Sequence, residues 1–205
     1  MVIRAVVFDV GGVLALVGPM DFGRRWEAEL GLADGAIGVA MADVWAAGEL
    51  GRVTEDEVHR AMRDRLGLTG EQVGAVMAEM WRQYLGVANT ELIEYARRLR
   101  PAYRTGILSN SFVGAREREH REYGFGDLVG ELIYSHEVGL SKPDRALWEL
   151  TCRRMGVAPG EMVFLDNAPR LVASARDFGI AAVLFENNAQ AIADIDALLG
   201  ARQAR

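Results

Sequence analysis

A chain of 205 residues, half of them hydrophobic and a quarter charged, is long enough to bury one good core and to carry a sizeable insertion in it. Its formal charge of −6 lacks the basic footprint of a phosphate-backbone binder, so no nucleic-acid partner is expected. The single cysteine, Cys152, excludes an internal disulfide framework and any multi-cysteine metal site, and reads as a small buried hydrophobe on a helix.

The first apolar run, residues 3–8, is short and ends at Asp9. A run of this length is neither a secretory h-region nor a membrane span, so the protein is expected to be cytoplasmic with no membrane partner. Gly11 and Gly12 come next, and from about residue 20 to residue 100 the pattern is helical, with no convincing strand. Two capping boxes, Thr54-Glu55-Asp56-Glu57 and Thr69-Gly70-Glu71-Gln72, open helices there. A helical stretch of about seventy residues far exceeds a normal βα connection. Residues 18–88 are therefore expected to form an inserted α-helical cap, with residues 1–17 and 89–205 as the core. Met77, Met80, Trp81 and Tyr84 recur at helical spacing and read most simply as packing within the cap, as does Trp45, with a substrate-facing role for Trp81, Tyr84 or Trp45 as the alternative. His59 reads as a surface residue.

Further β-branched runs stand at 104–109, 132–135, 162–165 and 181–185, separated by helix-period segments. The class is therefore α/β, a parallel sheet with flanking crossover helices. Between the second and third runs, REREHREYG mixes charge signs at i,i+4 spacing, the pattern of a solvated helix face, and His120 within it reads as exposed.

In an open parallel sheet, ligands bind outside the carboxyl ends of the strands, near the point where the strand order reverses. Asp9 follows the first strand; Ser109, Asn110 and Ser111 follow the second; Asp166 and Asn167 follow the fourth. Lys142 lies in the loop after the third, just ahead of a helix whose first turn holds Pro143. One strand-end aspartate is as readily a helix cap or a turn residue, but four polar groups on one edge point to a site. Two carboxylates suit a hard cation such as Mg2+, which usually takes only one or two from the protein. The Ser109 hydroxyl, backbone N–H groups and the Lys142 ammonium can then surround a transferring phosphoryl group. Asp9 would be the nucleophile, forming an aspartyl-phosphate that water cleaves. Gly11 and Gly12 let the backbone turn sharply and approach the ligand with no Cβ in the way.

The segments FDVGGVL, ILSNS, GLSKPD and VFLDNA resemble, in order and interval, the four motifs of the haloacid dehalogenase-like (HAD) hydrolase superfamily, across essentially the whole chain. The resemblance implies a Rossmann-like core, and the insertion falls where members with a helical cap carry theirs. GELGRVTEDEV is similar to cap segments in the branch near glucose-1-phosphate phosphatases and the phosphatase domain of soluble epoxide hydrolase. Activity implied by the resemblance is Mg2+-dependent hydrolysis of a small phosphorylated metabolite. It assigns Asp9 as nucleophile and metal ligand, the Gly11 carbonyl and Asp166 as further ligands, and Lys142 as the group that orients and neutralises the nucleophile and phosphoryl group. Ser109, helped by Asn110 and by Gly12 in the first turn, would bind the phosphoryl oxygens. The protein is expected to be a monomer or homodimer.

Three positions depart from that pattern. Gly11 stands where most phosphatases of the superfamily carry a second aspartate as general acid and base. Asn167 replaces a usual acidic residue or serine, and Leu171 an often polar position; fewer carboxylates should weaken metal affinity. Losing positioned acid–base help costs about 10²- to 10⁴-fold, against an acceleration of up to about 10²¹ for phosphate monoesters. Turnover should survive and favour leaving groups that need little protonation, such as aryl, anomeric-sugar and acyl phosphates. His136, between the third strand and Lys142, is a candidate substitute acid. Two other readings stay open. One aims Asp9 at a carbon–halogen bond, which needs no metal and leaves Asp166 unexplained. The other is a binding or regulatory protein that keeps the fold with little turnover, which the three departures favour.

Overall fold

In the computed structural model, which describes residues 2–200, the chain opens on β1 (Ala5–Phe8) and the short β2 (Ala15–Leu16). Four helices follow: α1 (Phe22–Leu30), α2 (Ala36–Glu49), α3 (Glu55–Leu66) and α4 (Gly70–Leu85). Then come β3 (Val87–Ala88), α5 (Thr90–Leu99), β4 (Arg104–Ser109), α6 (Ala115–Tyr123), α7 (Phe125–Leu128), β5 (Glu131–Tyr134) and α8 (Ser135–Val138). The chain continues through α9 (Arg145–Met155), β6 (Met162–Asp166), α10 (Pro169–Phe178), β7 (Ala181–Leu184) and α11 (Asn188–Gly200).

Five strands form one parallel sheet in the order β5-β4-β1-β6-β7. Strands covered on both faces need no polar alternation, which is why AVVF reads as an unbroken apolar run. Its pleat divides the core: Val6 and Phe8 join Leu92, Ala96 and Ile195 from α5 and α11, whereas Ala5 and Val7 join Leu147, Trp148 and Val172 from α9 and α10. The chain builds outward from β1 to β4 and β5, then returns to its other side for β6 and β7. The strand order therefore reverses beside β1, whose carboxyl end carries Asp9. The run expected at 132–135 ends one residue early because Ser135 opens α8.

Helices α1 to α4 make the inserted helical region. β2 and β3 pair antiparallel, with Ala15 opposite Ala88 and Leu16 opposite Val87, and no strand of the main sheet lies among residues 18–88. Both capping boxes form: Thr54 Oγ1 accepts from the Glu57 N–H at 3.3 Å while Glu57 Oε2 accepts from the Thr54 N–H at 2.8 Å, and Thr69 and Gln72 repeat the exchange at 3.2 and 2.8 Å. Apolar faces at helical spacing bury Met41, Val44, Val58, Met62, Val73, Met77 and Trp81 against one another. Phe112 and Ala115 of the core complete that cluster, so the cap packs on the segment that follows β4.

Two expectations are corrected. The REREHREYG segment forms α6, but it is not a wholly solvated face: Glu119 is 1% exposed and its Oε2 accepts the Tyr134 hydroxyl at 2.6 Å. Arg118 also turns inward, pairing with Glu55 of α3 at 2.8 Å and lying 4.0 Å over the Trp81 ring. His120 is exposed, whereas His59 is half-buried with its Nε2 enclosed. Cys152 is a buried free thiol on α9, as expected. Among the described residues no helix is long and apolar enough to cross a membrane.

Candidate active site

Because Phe8 pairs with Leu165 in parallel register, Asp9 and Asp166 emerge side by side at the carboxyl edge of adjacent strands. The Asp9 N–H donates to the Leu165 carbonyl at 2.9 Å, which carries the ladder one step past β1. Lys142 reaches this point from the loop between α8 and α9. Its Nζ lies 2.8 Å from Asp9 Oδ1 and 2.7 Å from Asp166 Oδ2, with the lysine side chain 1% exposed. The other Asp166 oxygen accepts the Ala168 N–H at 2.7 Å. One ammonium between two buried carboxylates leaves a net charge of −1 in a low-dielectric setting. Burial accordingly pushes the Asp9 carboxyl above its ordinary range; Lys142 pulls it down, and Asp166 pushes it further up.

Asn110 fixes the lysine loop. Its side-chain carbonyl accepts the Lys142 N–H at 2.7 Å and its amide donates to the Lys142 carbonyl at 3.0 Å. Ser109 is buried at the end of β4, the strand next to β1. Gly12 has φ +79°, and a Cβ there would overlap the Asn167 amide, so this turn requires glycine on both counts. Asn167, which reads from sequence as a lost metal-side acid, thus packs against the first turn. The candidate acid His136 places its Nδ1 2.6 Å from Ser111 Oγ, and burial pushes its imidazole below the ordinary histidine range.

The donor set can be tested against a divalent cation. Among the described residues no cluster of three or more His, Cys, Asp or Glu side chains is placed to hold a metal. A two-carboxylate site needs no such cluster, because a hard cation keeps several waters. Asp9 and Asp166 supply oxygen donors with uncompensated negative charge, and among the described residues no backbone N–H donates to the Gly11 carbonyl. These residues fit Mg2+.

A cavity of about 420 Å³ opens beside the cluster, between cap and core. Phe22, Trp45, Met80, Tyr84 and Phe112 wall it, and Asn110 and Ser111 form its floor toward the ion cluster. Its rings touch in sequence: Phe22 on Trp45 at 6.3 Å, Trp45 on Phe112 at 5.6 Å, Phe112 on Trp81 at 6.0 Å and Trp81 on Tyr84 at 5.2 Å. Glu49, at the end of α2, is the acidic residue of this wall. The cap is held there by short polar contacts: Ser135 Oγ donates to the Glu49 carbonyl at 2.7 Å and the Val113 N–H to the Gly48 carbonyl at 3.1 Å. Met80, expected as cap packing, and Tyr84 and Trp45, for which a substrate-facing role stood as the alternative to packing, face an open space. Sequence reading missed Glu49, Phe112 and Phe22. The only available signal was that Phe112 follows a polar strand-end triplet.

Against this geometry, the model of the haloacid dehalogenase-like hydrolases matches residues 3–179. The chain belongs to that family. It is 27% identical to bifunctional epoxide hydrolase 2 of Sus scrofa over 98% of its length, but it spans only 39% of that protein. It is 24% identical to a D-ribitol-5-phosphate phosphatase of Bacteroides thetaiotaomicron, covering 91% of this chain and 94% of that one. The solved structure of a HAD-like family hydrolase from Porphyromonas gingivalis superposes with a TM-score of 0.78 at 26% identity, covering 98% and 99% of the two chains. A Bacteroides thetaiotaomicron HAD family enzyme, solved with magnesium and inorganic phosphate, shares the fold at TM-score 0.71 and 19% identity over 89% and 93%. That enzyme binds magnesium; in this chain Asp9 and Asp166 offer the oxygen donors such a cation takes.

Proposed function

We propose that this hydrolase is a Mg2+-dependent phosphatase of a small phosphorylated metabolite, acting through an aspartyl-phosphate on Asp9, within the helical-cap branch of its family. The observation that carries the reading is the buried Asp9–Lys142–Asp166 cluster at the switch point of the sheet. Relatives named as a phosphatase and solved with magnesium and phosphate support it.

Asp9, Asp166 and the Gly11 carbonyl would hold the cation, which supplies Lewis-acid neutralisation of a phosphoryl oxygen. Asp9 attacks phosphorus with one carboxylate oxygen; the phosphorus–oxygen bond to the leaving group breaks, and the departing oxygen takes a proton from water. Lys142 holds the attacking carboxylate in place and offsets the charge that gathers on the phosphoryl oxygens, assisted by Ser109 and the turn at Gly12. Water then attacks phosphorus, the acyl-phosphate bond breaks, and Asp9 is regenerated with release of inorganic phosphate. Gly11 offers no proton at either stage, and the His136 ring is engaged by Ser111. Acid–base help is thus reduced, and leaving groups that depart as weak bases are favoured.

The test is hydrolysis of an aryl phosphate with and without Mg2+ by the wild type and Asp9→Asn. The variant should keep its fold by circular dichroism and lose turnover to below about a hundredth of wild type, a margin set by the smallest acid–base contributions. Retained activity would remove Asp9 as nucleophile. Halide release from a 2-haloacid without Mg2+ would instead assign the dehalogenase reading, and the absence of any turnover lost on mutating Asp9 the regulatory one.

A further inference from the structure

We propose that the cavity between cap and core takes a neutral, apolar organic group of the substrate and rejects substrates that carry a second anionic group. This rests on the phosphatase reading and adds to it the class of ester cleaved.

Adjacency comes first. The Asn110 that holds the Lys142 loop also lines the cavity, so a phosphoryl group on Asp9 would carry its organic group into this space. At roughly 30 Å³ per water-sized group, about 420 Å³ has room for about a dozen such groups. The walls are aromatic rings and thioethers, which reward burial of carbon.

Charge comes second. Recognition of a second phosphate or carboxylate calls for a guanidinium or ammonium, and no Lys, Arg or His lines this cavity among the described residues. Arg118 lies over Trp81, a ring that packs on the wall residues Phe112 and Tyr84 without lining the cavity, and it is paired with Glu55. Glu49 faces the space instead, and among the described residues its carboxylate makes no ion pair. It sits at the negative end of α2, and burial raises its pKa. A second anion in the cavity would meet this carboxylate with nothing to balance it.

Hydrogen-bonding capacity comes third, and it disfavours a bare polyol. The side-chain carbonyl and amide of Asn110 are engaged by Lys142, and Ser111 Oγ by His136. Burial raises the pKa of the half-buried Tyr84 hydroxyl, and the charges of Glu119, Asp9 and Glu49 add to the rise, so it stays a neutral phenol. Of the side-chain polar groups on the wall, the Glu49 carboxylate has the most unused capacity.

The experiment compares primary alkyl phosphates from ethyl to octyl, and hexyl phosphate with its ω-carboxylated counterpart, by kcat/KM in the presence of Mg2+. All share one leaving-group basicity, so the Gly11 effect cancels. Each added methylene should raise kcat/KM by about fourfold until the cavity is full, and the carboxylate should lower it by at least about a hundredfold. Glu49→Lys should narrow the hexyl-to-carboxyhexyl ratio by about tenfold or more. Asp9-dependent turnover that is flat with chain length and blind to the carboxylate would overturn the proposal while leaving the phosphatase reading standing. If no ester turns over, hexylphosphonate and its ω-carboxylated counterpart are titrated calorimetrically. Tighter binding of hexylphosphonate by at least about tenfold, with the preference narrowed about tenfold or more by Glu49→Lys, supports the cavity assignment; equal or absent binding of both overturns it.

Discussion

At the carboxyl edge of the sheet, one buried ammonium holds two carboxylates at 2.8 and 2.7 Å; across Asn110, ring centroids stand 5.2 to 6.3 Å apart around an open space. The first region is fixed by directional, charge-assisted bonds that fail when any partner is lost. The second is held by area and shape, which tolerate exchange of one apolar side chain for another of similar volume. Placing them side by side separates the reaction from the choice of substrate: the ion cluster can stay constant while cap side chains change what is admitted.

The largest effect that would test this contrast is at the lysine. Lys142→Met strands two buried carboxylates, and should destabilise the fold by about 3–5 kcal/mol in urea denaturation and abolish turnover. An unchanged unfolding midpoint would show that the cluster does not depend on its cation.

An intermediate effect concerns Glu119, a buried acid bonded to a hydroxyl instead of an ammonium. Burial raises its pKa from 4.5 to about 7, opposed by the Tyr134 hydrogen bond, reinforced by the charge of Asp9 and opposed by Arg116. The folded state therefore keeps a proton that the unfolded state releases near pH 4.5. This contribution to stability is fully present below about pH 4.5 and is lost as pH rises through about 7, a change of roughly 3 kcal/mol. Glu119→Gln should flatten the decline between pH 5 and pH 8 in thermal unfolding. Parallel stability profiles for wild type and variant would exclude a titrating Glu119.

The smallest effect lies at the starts of two cap helices. Thr54→Ala and Thr69→Ala each remove a capping-box oxygen and should cost about 1 kcal/mol, with kcat/KM unchanged. A change in substrate preference from either would show that cap stability and cap selectivity are not separable.

Asp9, Ser109, Asn110 and Asp166 were legible as a set of polar residues at strand ends along one edge, joined by Lys142 in the loop after the third strand. The geometry brings Asp9, Lys142 and Asp166 into contact and uses Asn110 to hold the lysine loop. Facing within the cap was not legible. A helical stripe such as Met77, Met80, Trp81 and Tyr84 looks the same whether it meets another helix or an opening, and here Met77 and Trp81 do the first while Met80 and Tyr84 also do the second. Glu119 was misread for a related reason: mixed charges at i,i+4 describe an isolated helix surface, and only tertiary packing against Tyr134 buries one member. Asn167 looked like a lost ligand because the neighbour that explains it, Gly12, lies far away in the chain.

The two-strand tie between β2 and β3 has a consequence for how much this cap can vary. Ala15 and Ala88 face each other across one ladder, so to the core the whole insertion is a loop whose ends are already held about 5 Å apart. Beyond that point, doubling the enclosed chain adds only about 0.6 kcal/mol of closure entropy. Closure entropy therefore sets little limit on cap length; what a shorter or longer cap must replace is its packing on Phe112 and Ala115, while Asp9, Lys142 and Asp166 stay fixed by the sheet.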